Sequence, residues 1–120
     1  MPKELIDQLM LLPSLEDGWN GYKAPKPNPN SLQKTKDFLV EILYNKIVPI
    51  SIVPSAEGGV GIVFKFDEWY IDLEIFNDGK MVGCFSKPEN IHVWEVFSVQ
   101  EASQKITEFM SNRSTNLSLW

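Results

Sequence analysis

A chain of 120 residues, 43% of them hydrophobic, has material for one compact core and too little for two. Its 22% of charged residues set it apart from a disordered polymer, and no apolar run approaches the roughly 20 residues that cross a bilayer. The net charge is -5 and Arg113 is the only arginine, which argues against gripping a nucleic-acid backbone; an acidic chain suits a basic protein partner instead.

In residues 3–12, Leu5, Ile6, Leu9, Met10 and Leu12 recur at helical spacing, and Pro13 ends the helix. Acids flank its apolar patch and no small-residue cleavage site follows, so it reads as an amphipathic helix rather than a secretory leader. The lone Cys84 has no internal disulfide partner, which fits a reducing cytoplasm.

Residues 15–30, LEDGWNGYKAPKPNPN, set two aromatics among glycines and prolines. Neither helix nor strand suits such a run. Trp19 and Tyr22 are expected to plug the seam where the first helix hands over to the second, with Asp17 and Asn20 meeting their polar atoms. Prolines 25, 27 and 29 hold the exit extended. The rival reading makes Trp19 and Tyr22 exposed anchors for a partner.

Asn30 or Ser31 then caps a second helix, with Asn30 and Gln33 as a capping box. Leu32, Leu39, Ile42 and Leu43 form its stripe, Phe38 and Val40 widen it, and it ends near Asn45. After Pro49 the period drops to two. ISIV is a strand, SAEGG a turn, and VGIVFKFDEWYIDLEIFNDGKMVGCFS a run of strands turning at Asp67-Glu68 and Asp78-Gly79; Asp-Gly is a good two-residue hairpin signal, whereas Asp67-Glu68 is a poorer match that leaves room for a longer turn.

If both turns have two residues, Val60, Ile62, Phe64 and Phe66 face Ile75, Leu73, Ile71 and Trp69. Ile75 and Leu73 then face Val82 and Cys84. All would share one apolar face, which a slip of one residue would invert. IHVWEVF is a further strand. SVQEASQKITEFM is a helix opened by a Ser98–Glu101 capping box and a Phe97–Ala102 staple, with Val99, Ala102, Ile106, Phe109 and Met110 as its buried stripe. The expected fold is α+β: an antiparallel meander of four to five strands with two N-terminal helices and one C-terminal helix on one face. Residues 1–112 form one domain and 113–120 a tail.

The run GWNGYKAPKPNPNSLQKTKDFL, followed by PSAEGGVGIVF and DLEI, resembles a group of short, uncharacterised bacterial and phage proteins. They share a Gly-Trp-Asp/Asn-Gly-Tyr loop, a Pro-rich run, a helix, and a Pro-x-x-Gly-Gly segment leading into a strand hairpin. The likeness spans residues 12 to 76. It implies a fold and supplies no catalytic residues.

One Cys and one His on separate strands do not make a zinc site, so no metal or cofactor is expected. Cys84 falls on the expected core face, and His92 reads as a satisfied sheet histidine. EGGVG lacks the lysine and helix of a phosphate loop. The best chemistry lies on the other sheet face. There Asp72 and Glu74 alternate with Tyr70 and Phe76, Val63 and Phe85 flank Asp72, Gly61 and Gly83 flank Glu74, and Met81 lies beside Phe76. Two carboxylates there would serve acid–base work only under a lid.

Too many apolar groups share that face for a wet surface, unless Leu117, Leu119 and Trp120 fold back onto it. The expected function is therefore a non-enzymatic, acidic, cytoplasmic inhibitor of another protein: an antitoxin, an immunity protein or a phage-encoded blocker of host defence. Its partner would be basic, such as a nuclease or toxin, bound through Tyr70, Asp72, Glu74, Phe76, Trp19 and Tyr22. No nucleic acid or membrane partner is expected; a homodimer is compatible. A dimeric acidic secretion or folding chaperone and a small enzyme using Asp72 and Glu74 are the alternatives.

Overall fold

The computed structural model describes residues 1–118, and side chains through Arg113. The helices are α1 (Lys3–Leu11), α2 (Pro29–Tyr44) and α3 (Val99–Ser118); a short 3-10 turn, Leu12–Ser14, follows α1. The strands are β1 (Ser51–Pro54), β2 (Gly59–Phe66), β3 (Trp69–Phe76), β4 (Met81–Lys87) and β5 (Asn90–Val96). They form one antiparallel five-stranded sheet in the order β1-β2-β3-β4-β5. The α+β meander with two helices before it and one after is thus the fold.

Period-two alternation puts Ile52, Val60, Ile62, Phe64, Ile71, Leu73, Ile75, Met81, Phe85, Trp94 and Val96 on one face, all buried. Leu5, Leu12, Phe38, Leu39, Ile42, Ala102, Ile106 and Phe109 close the core from the helix side. Each large side chain buried this way contributes about 1.5–3 kcal/mol. Phe109 stacks on Phe85 with ring centroids 3.9 Å apart and meets Trp69 edge-on at 5.1 Å. This fixes α3 over the β3–β4 side of the sheet. The helix stripes are narrower than their periodicity suggests: Ile6, Met10 and Val40 are exposed.

The β2–β3 register is the expected one, from Val60 opposite Ile75 to Phe66 opposite Trp69. The β3–β4 register is not. Ile75 pairs with Met81, Leu73 with Gly83 and Ile71 with Phe85, so Val82 and Cys84 leave the core face and Met81 and Phe85 enter it. The cause is the turn. A two-residue Asp-Gly turn needs positive φ at both positions, and only Gly79 has it, at 95°. Gly79 N donates to Phe76 O and Phe76 N to Lys80 O, at 2.9 Å each. This is a three-residue loop with a left-handed glycine, one residue longer than expected. The extra residue turns β4 over.

Helix α2 begins earlier than expected. Asn28, not Asn30 or Ser31, is its cap: Asn28 Oδ1 accepts from Ser31 N at 2.9 Å, and Ser31 Oγ accepts from Asn28 N at 3.2 Å. Pro29 then occupies the first helical position, where its missing N–H has no bond to lose. At α3, Ser98 Oγ accepts from Glu101 N at 3.1 Å as expected. The staple does not close, because Phe97 remains exposed. Helix α3 continues to Ser118 through a polar run that lacks Gly and Pro.

Candidate functional site

The three helices cover one face of the sheet and leave the other open among the described residues. Strand β3 sends Tyr70, Asp72, Glu74 and Phe76 to that outer face, as their alternation requires. These four predicted residues therefore share one surface. Their neighbours are not the predicted ones. Asp72 lies between Val63 and Cys84, and Glu74 between Gly61 and Val82. Phe85 and Met81 are in the core, and Cys84 is on the outer face rather than buried beneath it.

The face is broader than β3. Strand β5 adds Ile91 and Val93, 74% and 63% exposed, and β1 adds Val53. Sequence reading missed these three. The alternation Ile91, Val93 against Trp94, Val96 held the signal, because only one of those pairs can face the core in a single register. Lys65 Nζ sits 4.5 Å over the Tyr70 ring and donates to Asp67 O at 2.8 Å, which holds the ring at the margin of the face.

The absent Cβ of Gly61 leaves a shallow depression of about 360 Å³ walled by Val53, Ser55, Val63, Asp72, Glu74 and Cys84. Ser55 Oγ donates to Glu74 Oε2 at 3.0 Å. Asp72 has no such donor among the described residues. Its carboxyl is held above the ordinary carboxylate range, first by burial and then by the Glu74 charge. The Cys84 thiol is pushed up by burial and by Asp72, against a smaller opposing effect of the His92 backbone N–H. What the depression offers is a carboxyl and a thiol whose proton affinities are both raised, set between apolar walls. Among the described residues no group of three or more His, Cys, Asp or Glu is placed to hold a metal ion. No helix among them is long and apolar enough to cross a membrane.

The raised Asp72 value makes a prediction. The native state favours neutral Asp72, so this stabilising contribution is complete below the ordinary value of 3.8 and is lost as pH rises through the raised folded value. Asp72→Asn keeps the side chain neutral. It is expected to raise Tm at neutral pH, and the advantage should vanish as pH falls below 3.8. Thermal melts of both proteins from acid to neutral pH check it; parallel curves would sink it.

The aromatic loop is ordered by its own polar groups. Gly18 N donates to Ala24 O at 2.8 Å, and Asn20 Oδ1 accepts from Tyr22 N at 3.0 Å and Ala24 N at 3.4 Å. Asp17 Oδ1 accepts from Lys26 N at 3.0 Å. Asp17 and Asn20 thus serve backbone N–H groups, not the aromatic tips. Trp19 is half-buried, and its Nε1 donates to Pro25 O at 3.1 Å. Tyr22 is 84% exposed and plugs nothing. The two aromatics are not part of the outer face. Pro25 of the loop reaches its rim, walling a second depression of about 570 Å³ with Phe76 and Val82.

His92 lies on the core-side face but beyond the helix cover, exposed and stacked on Phe85 at 6.2 Å. The expected return of Leu119 and Trp120 to the outer face lies outside the described residues, as does the Leu117 side chain. Comparison of the chain with protein-family models, curated proteins and solved structures gave no match.

Proposed function

We infer that this chain is a small, acidic protein-binding protein that inhibits its partner, in the manner of an antitoxin, an immunity protein or a phage-encoded blocker of host defence. The observation that carries the reading is the open sheet face, where Tyr70, Val53, Ile91 and Val93 are exposed and half-buried Val63, Val82 and Cys84 lie on the strands between them. Scattered apolar residues on a surface are ordinary; apolar residues contributed by all five strands to one uncovered face mark a contact site. Asp72, Glu74 and Glu95 place negative charge among them. With a net charge of -5, the chain would steer a basic partner onto this face, and the charges would set on-rate and specificity more than affinity.

Affinity would come from the aromatics. Tyr70 is the exposed anchor at one end of β3, and Phe76 is half-buried on the same face at the other end, near Pro25. The test is quantitative capture from lysate of the source cell, with Tyr70→Ala/Phe76→Ala and Tyr44→Ala as paired variants. Tyr44 stands 86% exposed on α2, away from the sheet face. One partner in fixed stoichiometry, bound at least about tenfold more weakly by the double variant and equally by Tyr44→Ala, is the expected result. Equal retention by the double variant would place the contact elsewhere.

A further inference from the structure

The two edges of the sheet are not alike. An edge strand presents N–H and C=O groups with which another strand can pair. In an antiparallel ladder, alternate residues turn these groups to one side and then the other. The two-residue Pro88–Glu89 turn makes Lys87 and Asn90 a hydrogen-bonded pair, so His92, Trp94 and Val96 also bond to β4. Ile91, Val93 and Glu95 therefore turn their N–H and C=O groups outward. The same count from the Phe66–Trp69 pair turns Ile52 and Pro54 outward at the β1 edge.

The β1 edge is sealed. Ile52 N donates to Gln8 Oε1 of α1 at 2.7 Å, and Pro54 has no N–H to offer. Among the described residues the β5 edge has no such protection. The strand contains no Pro and no Lys, and no described residue pairs with the outward groups of Ile91, Val93 and Glu95. The free run ends at Phe97, whose N–H reaches Glu101 Oε2 at 3.5 Å.

We propose that the β5 edge seats a second copy of this chain, the two β5 strands running antiparallel about a two-fold axis at Val93. Val93 then pairs with its own counterpart, and Ile91 pairs with the partner's Glu95. No like charges oppose each other, since the two Glu95 side chains fall on opposite sides of the axis. The pairing uses the same patch on both copies, so it closes on itself, and the sealed β1 edges stop further growth. It also covers a flank of Ile91 and Val93, which a lone chain leaves beside an unguarded edge. The outer face stays open and doubles in width, so this pairing stands or falls independently of what that face binds.

Sedimentation equilibrium of the full chain is the test, with two variants. Val93→Pro deletes an outward N–H that the β4 ladder does not use, and proline is tolerated at such edge positions. Ile91→Glu sets like charges against the partner's Glu95 on both sides of the axis without constraining the backbone. The expected result is a dimer whose dissociation constant rises at least about tenfold in each folded variant, with unchanged circular dichroism. Amide exchange at Ile91, Val93 and Glu95 should slow as protein concentration rises. A wild type that stays monomeric up to about 1 mM overturns the proposal. So does a dimer that survives Ile91→Glu. β5 amides protected only when another protein's extended segment is added would also overturn it, by naming a different occupant.

Discussion

Gly83→Ala is expected to destabilise the fold by about 3 kcal/mol, lowering Tm by on the order of 10 °C. Gly83 pairs with Trp94 across β4 and β5, and the indole six-membered ring lies directly on the glycine. A Cβ there would occupy the volume of Trp94 Cζ2 and Cη2. The indole cannot yield easily. It is 7% exposed and flanked by Phe85, with ring centroids 5.2 Å apart. Trp94 Nε1 is itself buried without a hydrogen-bond partner, so the residue is held for its area and not for its N–H. A double-mutant cycle separates this cause from loss of strand flexibility. In a Trp94→Leu background, Gly83→Ala should cost less than about 1 kcal/mol, because the clash is gone. Chemical denaturation of the four proteins measures it. Equal costs in both backgrounds would remove the ring-on-glycine explanation.

Asn77→Ala is expected to cost about 3 kcal/mol, at about 1 kcal/mol for each of three side-chain hydrogen bonds. Asn77 Oδ1 accepts from Ser31 Oγ at 2.7 Å and from Asn28 N at 2.9 Å, while Nδ2 donates to Lys26 O at 2.9 Å. Its own carbonyl accepts from Asn28 Nδ2 at 3.0 Å and Asn30 Nδ2 at 3.2 Å, and Lys34 Nζ donates to Gly79 O at 3.1 Å. One turn residue thus ties the aromatic loop and the start of α2 to the β3–β4 hairpin. Asn77→Asp keeps the Oδ1 that accepts two of the three bonds and puts negative charge at the positive end of α2, so it should lose less than half as much. Denaturant midpoints order the three proteins. An Asp variant as unstable as the Ala variant would mean that the Lys26 bond dominates.

The β2–β3 register was legible because its two-residue turn leaves no freedom: once Asp67 and Glu68 are the turn, Val60 must face Ile75. The β3–β4 register was not, because MVGCFS is apolar on both alternations. Met81, Gly83 and Phe85 could fill a core face, and so could Val82 and Cys84. What separates them is the fit of Trp94 to Gly83 and the loop's extra residue. Neither is a property of β4 alone. The Asn28 cap was signalled by Pro29, whose fixed φ suits the first helical position, but the true anchor is Asn77, about fifty residues away.

The candidate site divides the same way. Tyr70, Asp72, Glu74 and Phe76 follow from alternation within one strand. Their flanks, Cys84 and Val82, depend on a register that a turn geometry decides. Tyr22 could not be placed from sequence, because loop hydrogen bonds to Asn20 and Asp17 order the backbone without burying the ring.

The sheet order has a consequence for how the chain reaches its fold. Every strand pairs with its immediate successor, across loops of two to four residues. Each hairpin can close after a short search, with little loop entropy to overcome. The bonds from Asn77 to Asn28, Ser31 and Lys26 instead join residues 49, 46 and 51 apart in sequence. They can form only once the sheet exists to carry Asn77. The clasp therefore belongs to the downhill side of the folding barrier, and its loss in Asn77→Ala falls on the unfolding rate while folding proceeds at nearly its normal speed. The residue that fastens helix to sheet sets how long the finished molecule lasts, not how quickly it is made.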